Sequence, residues 1–387
     1  MKGIPHDRWF GWLSLLIVAG YFVVGLWPFD FHPANRVSWL ADRPGLDFQP
    51  YGIAYDAASL PRPAPSDGAG PSAAFTVELW IETDQEPANN VFNILTVHNP
   101  QLPFDFVLGQ WKRDFLLRAT TQHRPPTAKI PETGVDEALT EGKPQCFTVR
   151  SDGAGTDFYL GGTMAGHFPQ FVLNEEALDG RLILGNSASG KHPWTGRLFG
   201  FALYHRALAA TEIAGHSALW TQGRAGQLTN ASGLTALYLF DEGRGRSAAD
   251  SSANHHHVII PAIFEPVHRN LLIPPWSDLS YREPDYPDIA VNILGFVPFG
   301  FCFFLHRRSL KPVQKITNSL RVVLSGAAVS LAIEIIQAWL PDRTSSVTDL
   351  LTNTTGTLLG VVLALALRRN ITKAEPATRP GGSSADW

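Results

Sequence analysis

Four long apolar runs constrain this chain more than any other feature: Trp9–Trp27, Ile289–Leu305, Val322–Leu340 and Leu350–Leu367. A helix needs roughly 20 apolar residues to span about 30 Å of hydrocarbon, and each run comes close to that. Inside a bilayer an open chain has no water to satisfy its peptide groups, so runs of this kind are expected to be helices. The first run lacks a small-residue cleavage site and ends in WPFDFHP, with aromatic residues suited to the membrane interface. It reads as an uncleaved signal anchor, a cleaved signal peptide being the alternative.

Charge sets the expected topology. The connection HRRSLKPVQK (His306–Lys315) and Arg321 are basic, and Arg368, Arg369 and Lys373 follow the last run. The positive-inside rule places these and the N-terminus in the cytoplasm, and the Pro341–Thr348 loop outside. The long stretch between the first and second crossings is then outside as well. The tail, residues 371–387, reads as disordered. A net charge of −4 gives no support to a nucleic-acid partner. The two cysteines, Cys146 and Cys302, lie in unlike surroundings and suggest neither a disulfide framework nor a thiolate metal site.

Residues 36–272 hold no run long enough to cross a membrane. Segments of strand length recur instead, among them FTVELWIET, FVLGQW, FLLRATT, CFTVRS, DFYLGG, RLILGN, LFGFALY and LTALYLF. Gly, Pro, Asn and Asp clusters separate them, and Pro61–Ser72 is a loop by composition. Many short strands at close spacing indicate an all-β sandwich. The expected architecture is therefore multi-domain: an α-helical four-crossing membrane bundle plus an extracytoplasmic all-β jelly-roll sandwich.

The stretches FTVELWI at Phe75, FTVRSDGAGTDFYLGG at Phe147–Gly162 and LILGNSASGKHPWTGRLFGFALYHRALAATEI at Leu182–Ile213 resemble the laminin-G-like, or concanavalin-A-like, family. The segment Leu237–Asn254 resembles one that commonly opens such domains; here it lies near the end, which implies a permuted strand order. Tyr159-Leu160-Gly161-Gly162 suits a tight turn without a side-chain cap.

The membrane runs carry polar residues at helical spacing. Asp288, Asn292 and Gly295 recur on one face of the second crossing. Ser330, Glu334 and Gln337 do so on the third, and Asp349, Asn353, Gly356 and Gly360 on the fourth. Ionisable groups within a span are costly, and small residues permit close helix approach. At 1.5 Å per residue, Glu334 is about 9 Å below Leu340. All these groups then fall in the outer half of the membrane, and Arg343 is close enough to pair with Asp349 or another carboxylate. The expectation is a polar pocket open to the extracytoplasmic face. Set beside it is a plainer reading, in which the polar groups hold the bundle together and Asp349 is an N-terminal cap.

The pattern D-x3-N-x2-G-F-x-P-x-G (Asp288–Gly300), then IE-x2-Q-x3-P-x-R (Ile333–Arg343), then TDLLTNTTG-x3-G (Thr348–Gly360) resembles the VanZ-like membrane family. The first crossing, closing in Trp27-Pro28-Phe29, is similar to that family's first helix. The resemblance implies a bacterial inner-membrane protein and a link to resistance against a glycopeptide antibiotic of the teicoplanin type, without supplying a reaction.

Other candidate sites are weaker. Asp241, Asp250 and Asn254 could supply oxygen ligands to a structural calcium ion. His255-His256-His257 suits a solvated loop better than a metal site, since neighbours on a strand face opposite ways. Trp111 and Trp194 could stack on sugar rings, burial being the default for both. There is no nucleophile elbow, P-loop or zincin motif. The leading expectation is a cell-envelope binding protein. Its sandwich engages a glycan or protein partner, and its outer pocket (Asp288, Asn292, Glu334, Gln337, Arg343, Asp349, Asn353) holds a glycolipid or other lipid-linked ligand. The alternatives are a membrane enzyme with Glu334 as general acid or base, and a purely structural anchor.

Overall fold

A computed structural model describes residues 6–60, 74–84, 90–102, 104–119, 131–173, 175–275, 286–307 and 312–374. The Pro-rich loop 61–72, residues 276–285 of the bridge to the second crossing, residues 308–311 of the basic connection and the tail beyond 374 lie outside them. The chain divides into two compact units. One holds the residues up to Asp30 and those from Asn270 onward; the other is Phe31–Arg269.

The first unit contains four helices: α1 (His6–Leu26), α3 (Tyr286–His306), α4 (Pro312–Gln337) and α5 (Val347–Ala374). Each has an apolar stretch long enough to cross a membrane. Their outward faces carry Trp12, Leu16, Val24, Val291, Leu294, Leu324 and Leu363, all exposed. An apolar surface of that extent suits lipid, not water. Helix α5 continues through residues 371–374, where the sequence suggested the disordered tail begins.

The bundle is held close by glycine. A Cβ added at Gly356 would lie 2.1 Å from the Ile293 carbonyl oxygen, and one at Gly360 would lie 2.2 Å from that of Val297. A Cβ at Gly300 would lie 2.1 Å from the Thr357 carbonyl oxygen, and one at Gly326 on α4 would meet the Thr357 hydroxyl. Thr357 is fully buried between those two glycines. In lipid, helices gain little from hiding apolar surface, so backbone approach of this kind is what packs them. Gly295, expected on the same polar face, lies off the contact: a Cβ there meets nothing within 4 Å. Its carbonyl instead accepts from the Tyr21 hydroxyl of α1 at 2.6 Å.

The second unit is an antiparallel sandwich of two eight-stranded sheets. Its strands in chain order are β1 (Val37–Trp39), β2 (Leu46–Phe48), β3 (Ala54–Ser59), β4 (Phe75–Thr83), β5 (Phe92–His98), β6 (Phe106–Trp111), β7 (Asp114–Arg118) and β8 (Glu132–Val135). These are followed by β9 (Gln145–Asp152), β10 (Gly155–Leu160), β11 (Thr163–Phe168), β12 (Arg181–Leu184), β13 (Gly196–Tyr204), β14 (Leu234–Tyr238), β15 (Ser247–Ala248) and β16 (Val258–Ile259). One sheet runs β1-β2-β13-β4-β9-β10-β11 with β14 beside β13; the other runs β15-β16-β3-β12-β5-β6-β7-β8. Between them lie Phe48, Phe75, Phe115, Phe147, Phe158, Trp194, Phe201 and Tyr238. The β10–β11 hairpin turns at Gly161 and Gly162, both at positive φ (60° and 82°), which favours glycine.

A second core covers the outer face of the first sheet. Helix α2 (Ala210–Thr221) and the 3-10 turn Ala225–Asn230 pack Ile213, Trp220 and Leu228 against Cys146, Tyr159, Ala202 and Tyr204. This burial pushes the Cys146 thiol up to about 12. Gly200 is glycine because a Cβ there would lie 2.1 Å from the Trp220 ring. The Glu78 carboxylate of β4 is buried in this layer, accepting from Trp220 Nε1 at 3.0 Å and paired with His216 Nδ1 at 2.9 Å. At the start of α2, Glu212 receives Arg206 through two bonds of 2.9 and 2.7 Å and the Ala209 N–H at 2.8 Å. The Arg206 fork first, and then the Ala209 N–H, hold its carboxyl down to about 2.

Two outcomes follow from this packing. Gly356→Leu forces α3 and α5 apart and should lower stability by about 1–3 kcal/mol or more, as overpacking does. Gly295→Leu, with open space around it, should cost much less; thermal unfolding in detergent compares them. The Glu212 contribution is fully present above the ordinary carboxylate value of 4.5 and is lost as pH falls through about 2. Protection factors of the α2 amides should therefore drop between those pH values in wild type, and Glu212→Gln should remove that dependence.

Candidate functional site

The site begins with the need of helix ends for partners. The last carbonyls of α1 and the first N–H groups of α5 have none within their own helices. The turn that joins α4 to α5 supplies them. Gln337 Nε2 donates to the Gly25 carbonyl at 2.8 Å, and Arg343 donates to Trp27 (3.1 Å from Nη2) and Val24 (3.3 Å). These carbonyls are the negative end of the α1 dipole, so a guanidinium is well placed there. Arg343 was expected to reach a carboxylate; these bonds direct it to the end of α1.

At the start of α5, Ser346 is the N-cap: its hydroxyl accepts from the Thr348 N–H at 3.0 Å. Asp349, weighed as the cap, sits one turn inside the helix and accepts from Asn292 Nδ2 of α3 at 2.9 Å. The Ser346 N–H is itself received by Glu334 Oε2 at 2.8 Å, and the Ser345 side chain also bonds to that carboxylate. Ser345 in turn accepts the Leu272 N–H through its hydroxyl (3.0 Å) and the Ile273 N–H through its carbonyl (2.9 Å). The chain re-entering the unit is thus stitched to the same turn, with Ile273 bridged to Ser346. Glu334 is 2% exposed.

One turn deeper, Asn353 Nδ2 donates to the Ser330 hydroxyl across α4 and α5 at 3.0 Å. Asn353 is 7% exposed, and its Oδ1 accepts no hydrogen bond. The structure therefore brings Glu334, Asn353, Asp349 and Asn292 to the same end of α3, α4 and α5. Gln337 and Arg343 serve the α1 end beside them, and Asp288 stands exposed on the first turn of α3. The polarity of the cluster falls off with depth: exposed at Asp288, half-buried at Asn292 and Asp349, buried at Asn353 and Ser330. Ser345 and Ser346 were not singled out from sequence. The signal was present in Ser346-Val347-Thr348-Asp349 before an apolar run, a capping-box pattern.

In the sandwich, the aromatic candidates separate. Trp194 is 1% exposed and donates to Gln110 Oε1 at 3.0 Å, so it belongs to the core and offers no face to a sugar. Trp111 is 40% exposed at the end of β6, with Lys112 Nζ 4.6 Å from its ring centre. The oxygen ligands considered for calcium are not gathered. Asp250 is buried, its Oδ1 accepting from the Leu237 and Ser252 N–H groups and its Oδ2 from the Ser252 hydroxyl and the His256 N–H. Asn254 donates to the Thr235 carbonyl, and Asp241 is exposed. His257 Nδ1 accepts the Asp250 N–H, while His256 lies 3.6 Å from Asp56. Among the described residues no three acidic, histidine or cysteine side chains cluster as metal ligands would.

Comparison with known proteins bears on both units. No curated protein matches the chain. Among solved structures, a carbohydrate-binding protein of Bacteroides ovatus, described as putative in its own report, is 14% identical over 58% of this chain and 62% of its own, with a TM-score of 0.36. A pentraxin of Limulus polyphemus is 10% identical over 47% of this chain and 80% of its own, TM-score 0.31. A sialidase module of Ruminococcus gnavus, bound to sialyllactose, is 13% identical over 46% of this chain and 96% of its own, TM-score 0.34. Residues 54–214 match the model of the concanavalin A-like lectin/glucanases superfamily, and residues 234–368 match that of VanZ/LLP1. The second match starts inside the sandwich, at the first residue of β14, and continues through α3, α4 and α5. The chain thus combines a VanZ-like domain, bearing helices long and apolar enough to cross a membrane, with a concanavalin A-like sandwich inserted after the first of its apolar helices.

Proposed function

We propose that this is a multi-pass protein of the bacterial inner membrane that binds an envelope component on its extracytoplasmic side. Both termini are cytoplasmic in this reading, and the sandwich and the α4–α5 turn are outside. The cluster around Glu334 holds the polar part of a lipid-linked or envelope-derived ligand, and the sandwich engages a glycan. The observation that carries the reading is the Glu334 carboxylate, buried near the end of a helix whose surroundings are otherwise apolar. Carboxylates in such places are costly to keep without a role. The lectin relationship of the sandwich and the exposed Trp111 support the glycan half, an aromatic face being suited to the apolar side of a sugar ring. The link to glycopeptide resistance that the VanZ resemblance implies would follow from capture of an envelope precursor.

Lipids and glycans recovered with the purified protein from native membranes, identified by mass spectrometry, test this directly. A species retained by wild type and lost from both Glu334→Ala and Asp349→Ala is expected; equal recovery from all three overturns the membrane half. Chemical change of that species on incubation would make the protein an enzyme. Glu334→Gln separates binding from folding, because its amide oxygen can still accept the Ser346 N–H. The alanine variant leaves that buried donor unmet and should be less stable than the glutamine variant by about 1–3 kcal/mol. For the sandwich, Trp111→Ala should abolish a glycan-array signal with little change in melting temperature. Trp194→Ala should cost about 3–5 kcal/mol of stability through the cavity it leaves.

A further inference from the structure

We propose that the cluster at the turn end of α3, α4 and α5 is a receptor for a primary ammonium group. The inference rests on the reading of that cluster as a ligand site and names the chemistry of the ligand.

The polar atoms gathered there are mostly acceptors. Glu334, Asp349 and Asp288 are near enough for the charges of the two aspartates to act on Glu334. In surroundings of low dielectric, carboxylates so placed repel one another strongly. The guanidinium in the same turn, Arg343, is directed to the carbonyls of Val24 and Trp27. Asn353 adds an independent observation. Its Nδ2 is used on Ser330, yet its Oδ1, buried with the rest of the side chain, receives no donor. Buried carbonyl oxygens are rarely left in that state. Asn353 stands one helical turn below Asp349, and Ser330 one turn below Glu334. The amide that joins them therefore lies in the α4–α5 seam directly beneath the two carboxylates.

A ligand that completes this arrangement must bring positive charge and hydrogen-bond donors together. A primary ammonium has three donors and no acceptor, so it can meet two carboxylates and the Asn353 carbonyl at once. A quaternary ammonium has the charge but no N–H for Asn353. A phosphate or sulfate headgroup has the wrong sign. The ammonium can arrive as the headgroup of an aminophospholipid or as a free amine.

The full-length protein in phosphatidylcholine nanodiscs distinguishes these cases. Lipid retention is read by native mass spectrometry and melting temperature by intrinsic fluorescence, with phosphatidylethanolamine, phosphatidylglycerol or free ethanolamine added. Wild type should retain phosphatidylethanolamine over phosphatidylcholine and melt higher with it. Glu334→Gln and Asn353→Leu should each weaken that retention tenfold or more while far-UV circular dichroism stays unchanged. Equal stabilisation by ethanolamine alone would identify a free amine as the source; a requirement for the lipid would identify the headgroup, and either supports the proposal. Preference for phosphatidylglycerol that depends on Glu334 would overturn the ammonium class while leaving a ligand site in place. Stabilisation by sodium or potassium ions alone would overturn it in favour of a metal cation. Recovery that is the same for every lipid and every variant would overturn the ligand site itself.

Discussion

The bond between the Glu334 carboxylate and the Ser346 N–H organises the helical unit. It ties the end of α4 to the N-cap of α5, and so fixes the length and path of the turn between them. Every other connection at this end depends on that path. Arg343 lies within the turn and reaches α1; Ser345 lies within it and receives the chain arriving at Ile273; Asp349 follows one turn later and meets α3. A neutral residue at position 334 could serve as acceptor too. What a carboxylate adds is charge, and charge is what makes the position costly in an apolar setting.

Packing deeper in the bundle follows a different rule. Below the polar cluster the α3–α5 contact is made by backbone against backbone at Gly300, Gly356 and Gly360, and Thr357 fills the space that Gly326 leaves on α4. Such contacts tolerate almost no displacement, since a single Cβ would overlap a carbonyl. The polar end is thus mounted on a rigid seat. A site whose members lie on three helices keeps its geometry when those helices cannot slide.

Much of this was legible in the sequence because two periodicities dominate it. Long apolar runs locate the helices, and short alternating ones locate β4, β6, β9, β10, β12 and β13. Strands without a marked pattern, such as β1, β11 and β15, depend on pairing partners far away in the chain and left no local signal. Thr76, Glu78 and Trp80 show why alternation alone misleads: they point away from the main core, yet α2 covers them. In the membrane segments helical spacing assigned the faces well for Ser330, Glu334 and Asn353. It failed for Gly295, because the face that meets α5 is Ile293, Val297 and Gly300, one step round the helix. Arg343 was misread for a related reason. Charge suggests a carboxylate partner, but helix-end carbonyls are equally in need of donors, and which lies nearer is a matter of tertiary geometry.

A domain of more than two hundred residues set between two membrane helices must begin and end at one place, or it would pull those helices apart. The sandwich meets that condition internally. Its entry and exit segments pair with one another: Ala34 is bridged to Ile263, the Asn35 N–H donates to Ala262, and the Phe264 N–H donates to Pro33. Asn35 locks the pair, its side-chain amide donating to both Pro261 and Ile53 while its Oδ1 accepts the Ile53 N–H. Domains whose ends lie close together are the ones that tolerate insertion. The helical unit shows the matching feature, because the returning chain at Leu272 and Ile273 is fastened to Ser345 before α3 begins. The VanZ-like region can therefore carry the sandwich without any change to the contacts among α1, α3, α4 and α5. Selection on the membrane cluster and on the sandwich surface can then proceed separately, each unit keeping its own core and its own closure.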